Sequence, residues 1–132
     1  MIRVLLVDDE ALVRDGLRTI IELEDDLTVV GERADGAVAV QLARSFKPDV
    51  VLLDVRMPGM DGLEAARRLL RDPVAPRVVM LTTFDRDEYL YAAMQADASG
   101  FLLKDMRRGQ LTAAIRTVAA AMPSSRRASP GG

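Results

Sequence analysis

Asp54 closes the apolar run Val50-Val51-Leu52-Leu53 and is followed by Val55-Arg56-Met57-Pro58-Gly59-Met60-Asp61-Gly62, so one carboxylate stands where a buried strand gives way to a glycine-bracketed turn. Val4-Leu5-Leu6-Val7 runs into Asp8-Asp9, Val78-Val79-Met80-Leu81 runs into Thr82, and Phe101-Leu102-Leu103 delivers Lys104. Open α/β sheets carry their chemistry beyond the carboxyl ends of parallel strands. If sheet order brings these four ends together, three carboxylates, a hydroxyl and an ammonium line one crevice, an inventory suited to a divalent cation and a phosphoryl group. An ionised carboxylate is already a nucleophile and needs no base to activate it, which suits a chain without histidine.

The elements that must position these residues are legible as an alternation. Short runs rich in Val and Leu at 2 to 7, 27 to 31, 49 to 53, 77 to 82 and 100 to 103 are separated by segments whose apolar residues recur at helical spacing. Val13, Leu17, Ile20 and Ile21 mark such a stripe over 11 to 24, and Ala39, Leu42, Ala43 and Phe46 one over 37 to 46. Leu63, Ala66 and Leu70 mark 62 to 71; Leu90, Ala93 and Met94 mark 86 to 96; Leu111, Ile115, Val118 and Met122 mark 110 to 122. Asp35, and Asp85 with Glu88 three residues on, read as helix N-caps, while Pro48 and Pro76 precede strands where a missing donor is tolerated. The pattern predicts an α/β fold, a doubly wound five-stranded parallel sheet in a three-layer sandwich with right-handed crossovers. One domain is expected over 1–122, followed by a flexible tail or start of a linker over 123–132, whose Pro, Ser, Arg and Gly residues show no periodicity.

Composition narrows the function. A net charge of −2 with 49% apolar and 29% charged residues argues against a disordered or strongly nucleic-acid-binding chain. With no cysteine there are no disulfides, thiolate metal sites or thiol nucleophiles, and with no histidine any imidazole in the mechanism comes from a partner. No apolar stretch reaches the length of a membrane span and the first strand follows Met1 directly, so a cytoplasmic location with no membrane partner is expected.

The four strand ends, taken with Met57-Pro58-Gly59-Met60-Asp61-Gly62, resemble the receiver domain of bacterial two-component response regulators over residues 2 to about 122. Thr83-Phe84-Asp85, Asp87-Glu88-Tyr89 and Ala98-Ser99-Gly100-Phe101-Leu102-Leu103-Lys104-Asp105 resemble the subgroup that carries a LuxR-type helix-turn-helix output domain. The resemblance implies a flavodoxin-like (βα)5 fold with strand order 2-1-3-4-5. It implies that Asp54 accepts a phosphoryl group from a sensor histidine kinase and that Asp8, Asp9, Asp54 and the carbonyl of Arg56 hold Mg2+, Asp9 directly and Asp8 through water. Lys104 is then the fixed positive charge beside the phosphoryl group, and Thr82 donates its hydroxyl to it. Thr82, Thr83 and Phe101 form the switch that alters the 83 to 111 surface. Homodimerisation is expected through the first and last helices, or through the face built from the 86 to 96 helix, the last strand and the last helix, with Arg14, Arg18, Asp87 and Arg116 as candidate rim pairs. DNA would be reached only through an output domain absent from this chain.

Some positions depart from that pattern. Asp97 stands where the resemblance leads one to expect glycine, and Thr83 replaces a small alanine. Arg56 and Phe84 flank the site with bulk that would slow attack by water on the phosphoryl group. Plainer roles compete: a turn cap for Asp54, a helix cap for Asp8 or Asp9, core filling for Phe101. So do other functions, namely a phosphorylation-independent binding module and a Mg-dependent aspartyl-nucleophile phosphatase. The phosphatase would need a general acid where Arg56 stands, and a cap that no insertion is long enough to build. A nucleotide-binding flavodoxin-like domain fits poorly, because Asp8-Asp9-Glu10-Ala11 is acidic where a phosphate cradle uses glycines. The chain is expected to be a regulator that assists only its own phosphorylation and dephosphorylation, not an enzyme.

Overall fold

In the central strands successive side chains point to opposite faces, and here both faces are buried. The computed structural model describes residues 1–55, 62–72, 75–82 and 100–120, with only the backbone of Leu63. Strands β1 (Ile2–Val7), β2 (Leu27–Arg33), β3 (Val50–Asp54), β4 (Arg77–Thr82) and β5 (Gly100–Leu103) form one sheet in the order β2-β1-β3-β4-β5, every neighbouring pair parallel. This is the expected fold and strand order. Helices α1 (Ala11–Glu22), α2 (Gly36–Phe46), α3 (Gly62–Arg71) and α4 (Arg108–Ala120) are the described ones. The helix expected over 86 to 96, its Asp85 cap, and the tail over 123–132 lie outside the described residues.

The core has two halves. Leu5, Val7, Val51, Leu53, Val78 and Met80 face α2 and α3 through Ala39, Val40, Ala43, Ala65, Ala66 and Leu69. Val4, Leu6, Val50, Leu52, Val79 and Leu81 face α1 and α4 through Leu17, Ile21, Leu111, Ile115 and Val118. Burying each of the larger side chains favours folding by about 1.5–3 kcal/mol, so the sheet is held firmly from both sides.

Local chemistry sets the ends of these elements. The Asp35 carboxylate accepts from the backbone N–H of Ala37 and of Val38, at 2.7 and 3.3 Å, as its expected capping role requires. At the other end of α2, Lys47 adopts the left-handed conformation, φ 49° and ψ 59°, and its N–H donates to the Ala43 carbonyl. Strand β2 extends past the expected residue 31, because the register with β1 slips between Val4↔Val29 and Leu5↔Gly31 and pairing then continues to Arg33. Gly31 fits that irregularity: an added Cβ would lie 3.1 Å from Leu42 and 3.3 Å from Leu5.

Arg14, Arg18 and Arg116, expected as rim pairs between copies, find partners inside the chain. Arg14 and Arg18 both pair with Glu32 of β2. Arg116 of α4 clamps Glu24 at 2.6 Å and Asp26 at 2.8 Å in the turn between α1 and β2. The acidic turn lies within reach of α4, and the intramolecular pairs form there; Asp87 lies outside the described residues.

Candidate functional site

Each chemically competent side chain stands one step beyond, or at the last rung of, a registered strand pair. Val7 pairs with Leu53, so Asp8 and Asp54 follow side by side; Asp54 pairs with Leu81, which precedes Thr82; Thr82 pairs with Leu103, which precedes Lys104. Backbone rungs continue the ladder: Asp8 N–H donates to Arg33 O at 3.1 Å, Val55 N–H to Leu81 O at 3.0 Å, and Lys104 N–H to Thr82 O at 2.8 Å. The main chain is therefore fixed across the mouth of the sheet.

Into this frame the side chains bring a dense set of charges. Asp8 is fully buried, Asp54 is 3% exposed and Thr82 2%. Lys104 Nζ lies 3.1 Å from Asp8 Oδ2, 3.2 Å from Asp54 Oδ1 and 3.5 Å from Glu10 Oε1. Burial disfavours its ammonium, but the charges of Asp54 and Asp8 outweigh burial and hold its pKa above the ordinary lysine value. Isolated carboxylates at such depth would be costly, and the lysine offsets that cost.

Asp8 Oδ1 accepts the Glu10 N–H at 2.9 Å, and Arg14 donates to the Asp8 carbonyl. Asp8 Oδ2 is buried and has no hydrogen-bond partner of good geometry among the described residues; its close neighbour is the Lys104 ammonium at ion-pair distance, 3.1 Å. One carboxylate oxygen from each of Asp8, Asp9 and Glu10 lies within 4.8 Å of the other two. A buried carboxylate oxygen neighboured by a single ammonium, beside two exposed carboxylates, is a hard all-oxygen donor set, and such a set fits Mg2+.

Gly62 closes the site from behind. Its N–H donates to the Val55 carbonyl at 2.9 Å, and an added Cβ would lie 2.0 Å from the Asp54 carbonyl oxygen and 2.7 Å from Val55 Cα. The glycine is demanded by close approach of two backbones.

The expected site residues Asp8, Asp54 and Lys104 thus meet, with Asp9 beside Asp8. Thr82 occupies the strand end next to Asp54. Phe101 is partly buried against the α2–α3 half of the core. Arg56, Thr83, Phe84 and Asp97 lie outside the described residues. Glu10 was absent from the expected set, and the only signal for it was its place at the end of Asp8-Asp9-Glu10.

Comparison with known proteins agrees with this geometry. The model of the response regulator receiver domain matches residues 4–116. The transcriptional regulatory protein YxjL of Bacillus subtilis is 46% identical over 118 residues, 89% of this chain and 54% of that protein. The signal receiver domain of a NarL response regulator from Mycobacterium tuberculosis superposes with a TM-score of 0.84 at 39% identity, covering 92% of this chain and 98% of that one. A DNA-binding response regulator of the LuxR family from Staphylococcus aureus gives 0.81 at 28% identity, covering 90% and 99%. The chain spans about half the length of the curated relatives it matches.

Proposed function

The chain belongs to the response regulator receiver domain family, and on that footing we propose that it is a phosphoacceptor switch in which Asp54 takes a phosphoryl group from the phosphohistidine of a sensor kinase. The observation that carries this reading is a buried strand-end carboxylate, Asp54, held 3.2 Å from a lysine ammonium with the Asp8 carboxylate on the same cation.

An Asp54 oxygen attacks phosphorus, the N–P bond breaks, and its electron pair stays on the imidazole of the partner. Lys104, whose backbone is tied to β4, keeps its ammonium beside that oxygen and moves only through its flexible stem, so it can follow the transferred group as a compact charge. Thr82 comes from the neighbouring strand, and its carbonyl is engaged by the Lys104 N–H. The part of Thr82 that responds is its side chain, donating the hydroxyl to a phosphoryl oxygen. Phe101, two rungs of β5 earlier than Leu103, passes the change to the 83 to 111 surface through packing. Asp8, Asp9, Asp54 and the carbonyl of Arg56 are the ligands we assign to Mg2+, which when bound neutralises charge building on the phosphoryl oxygens. A bias of a few kcal/mol between two pre-existing conformations is enough for such a switch.

The domain, residues 1–122, regulates and does not turn over an external substrate. Its output, in a longer protein with a LuxR-type helix-turn-helix, is transcription control in the cytoplasm through a homodimer. The test is intact mass after incubation with acetyl phosphate and Mg2+, run beside Asp54→Asn. A gain of about 80 Da that needs both Mg2+ and Asp54 is expected. No gain from a folded protein that binds Mg2+ would favour a phosphorylation-independent binding module, and steady release of inorganic phosphate from added esters would favour a phosphatase.

A further inference from the structure

Glu10 stands at the N-cap position of α1 with extended backbone, φ −91° and ψ 111°, yet its side chain makes no capping hydrogen bond. The first turn of α1 has no other acidic residue. A carboxylate at this position ordinarily serves the helix through its dipole and orphan N–H groups. Here it turns the other way: Oε1 accepts from Lys104 Nζ at 3.5 Å, across 94 residues of sequence, and one of its oxygens falls within 4.8 Å of one from Asp8 and one from Asp9. Beside it lies the buried Asp8 Oδ2, which has no hydrogen-bond partner of good geometry among the described residues and meets the Lys104 ammonium at 3.1 Å. Lys104 therefore faces three carboxylates, those of Asp8, Asp54 and Glu10, with Asp9 alongside.

One ammonium cannot neutralise four carboxylates, and of the four Asp9 and Glu10 are the exposed ones, at the mouth. We propose that Glu10 is a working part of the cation site, an exposed positioning carboxylate that draws Lys104 toward the mouth and adds its charge to the cradle of Asp8 and Asp9 for a divalent cation. This rests on the reading of the chain as a Mg2+-dependent phosphoacceptor, and extends it to a residue that the ligand set of Asp8, Asp9, Asp54 and Arg56 omits. Because Glu10 is largely exposed, with 61% of its side chain accessible, its contribution is electrostatic and sensitive to salt.

The experiment is a Mg2+ titration of the full chain by calorimetry, at low and high KCl, for wild type, Glu10→Gln, Glu10→Asp and Asp9→Asn, with thermal melting of each in Mg2+-free buffer. Removing one unit charge at this range weakens binding about 3- to 10-fold at low salt. Glu10→Gln is expected to show that loss, shrinking at high KCl, with melting unchanged; Glu10→Asp retains most of the affinity. Wild-type affinity in Glu10→Gln at low salt overturns the proposal. So does equal weakening in Glu10→Gln and Glu10→Asp accompanied by lower melting temperatures, which would mark a purely structural role at the start of α1. Failure of the folded wild type to bind Mg2+ at all instead overturns the phosphoacceptor reading beneath it, and normal phosphorylation of wild type with acetyl phosphate shows that reading intact when only the Glu10 arm fails.

Discussion

Two single residues set opposing limits on the site. Gly62 admits no side chain, since a Cβ would sit 2.0 Å from the Asp54 carbonyl oxygen and 2.7 Å from Val55 Cα, both main-chain atoms that cannot swing aside. Gly62→Ala should cost about 3 kcal/mol or more of stability by urea unfolding and sharply reduce the proposed phosphorylation of Asp54, because strand end and helix start must part. Asp9 is the converse case. It is exposed, crowded by Asp8 and Glu10, and absent from the pairs made by Lys104. Asp9→Asn should raise stability in Mg2+-free, low-salt buffer by about 0.5 kcal/mol through relief of like-charge repulsion. With Mg2+ at the proposed site the wild type is expected to melt higher and Asp9→Asn to lose that gain, so a variant more stable than wild type without Mg2+ would be less stable with it. That inversion is measurable in one pair of melting curves.

The elements show where helical and strand patterns speak clearly and where they blur. At the C-terminus of α2, Lys47 holds a left-handed backbone that glycine adopts without steric cost. Lys47→Gly should raise the unfolding free energy by about 0.5 kcal/mol, read as a higher urea midpoint at unchanged slope, the relief of strain being partly offset by glycine's extra freedom in the unfolded chain. All five strands were readable as Val- and Leu-rich runs, since a parallel strand covered on both faces has no polar alternation to obscure it. Strand β2 ran longer than its apolar run, because Glu32 and Arg33 lie on the edge strand where charged side chains can reach water while the backbone still pairs. Helix faces were less exact. Val40, Ala65 and Leu69 are buried where the periodic stripe had favoured neighbours, and Phe46 keeps 37% of its surface exposed, since a helix laid on a twisted sheet buries a broad band. Asp8, Asp54 and Lys104 could be anticipated because strand ends in a parallel sheet converge. Glu10 could not, because its contact with Lys104 depends on which way an N-terminal side chain turns.

At the scale of the whole molecule, surface ion pairs couple the fold to pH. The hydrogen bond from Arg116 holds the Asp26 carboxyl below its ordinary pKa, and that from Arg68 does the same for Glu64. Carboxyls depressed in the folded state favour it above their unfolded pKa of about 4, and that contribution fades as pH falls through the folded values. Lys104 has the opposite sign: its raised pKa favours the fold below about pH 10.4, and the contribution is lost as pH rises through the folded value. Melting temperature should be level between about pH 5 and pH 9 and fall on both sides. Arg116→Ala should lessen the fall on the acid side, as Asp26 returns to its ordinary range while Glu64 keeps Arg68, and leave the alkaline side in place. The three rungs that end the ladder, Asp8 N–H to Arg33 O, Val55 N–H to Leu81 O and Lys104 N–H to Thr82 O, carry a separate consequence. Each holds a proton that can be traded for deuterium only when the tip of a strand pair opens. Together they make a three-point isotopic gauge laid across the mouth of the sheet, able to report whether the proposed phosphorylation stiffens the frame or moves only the side chains within it.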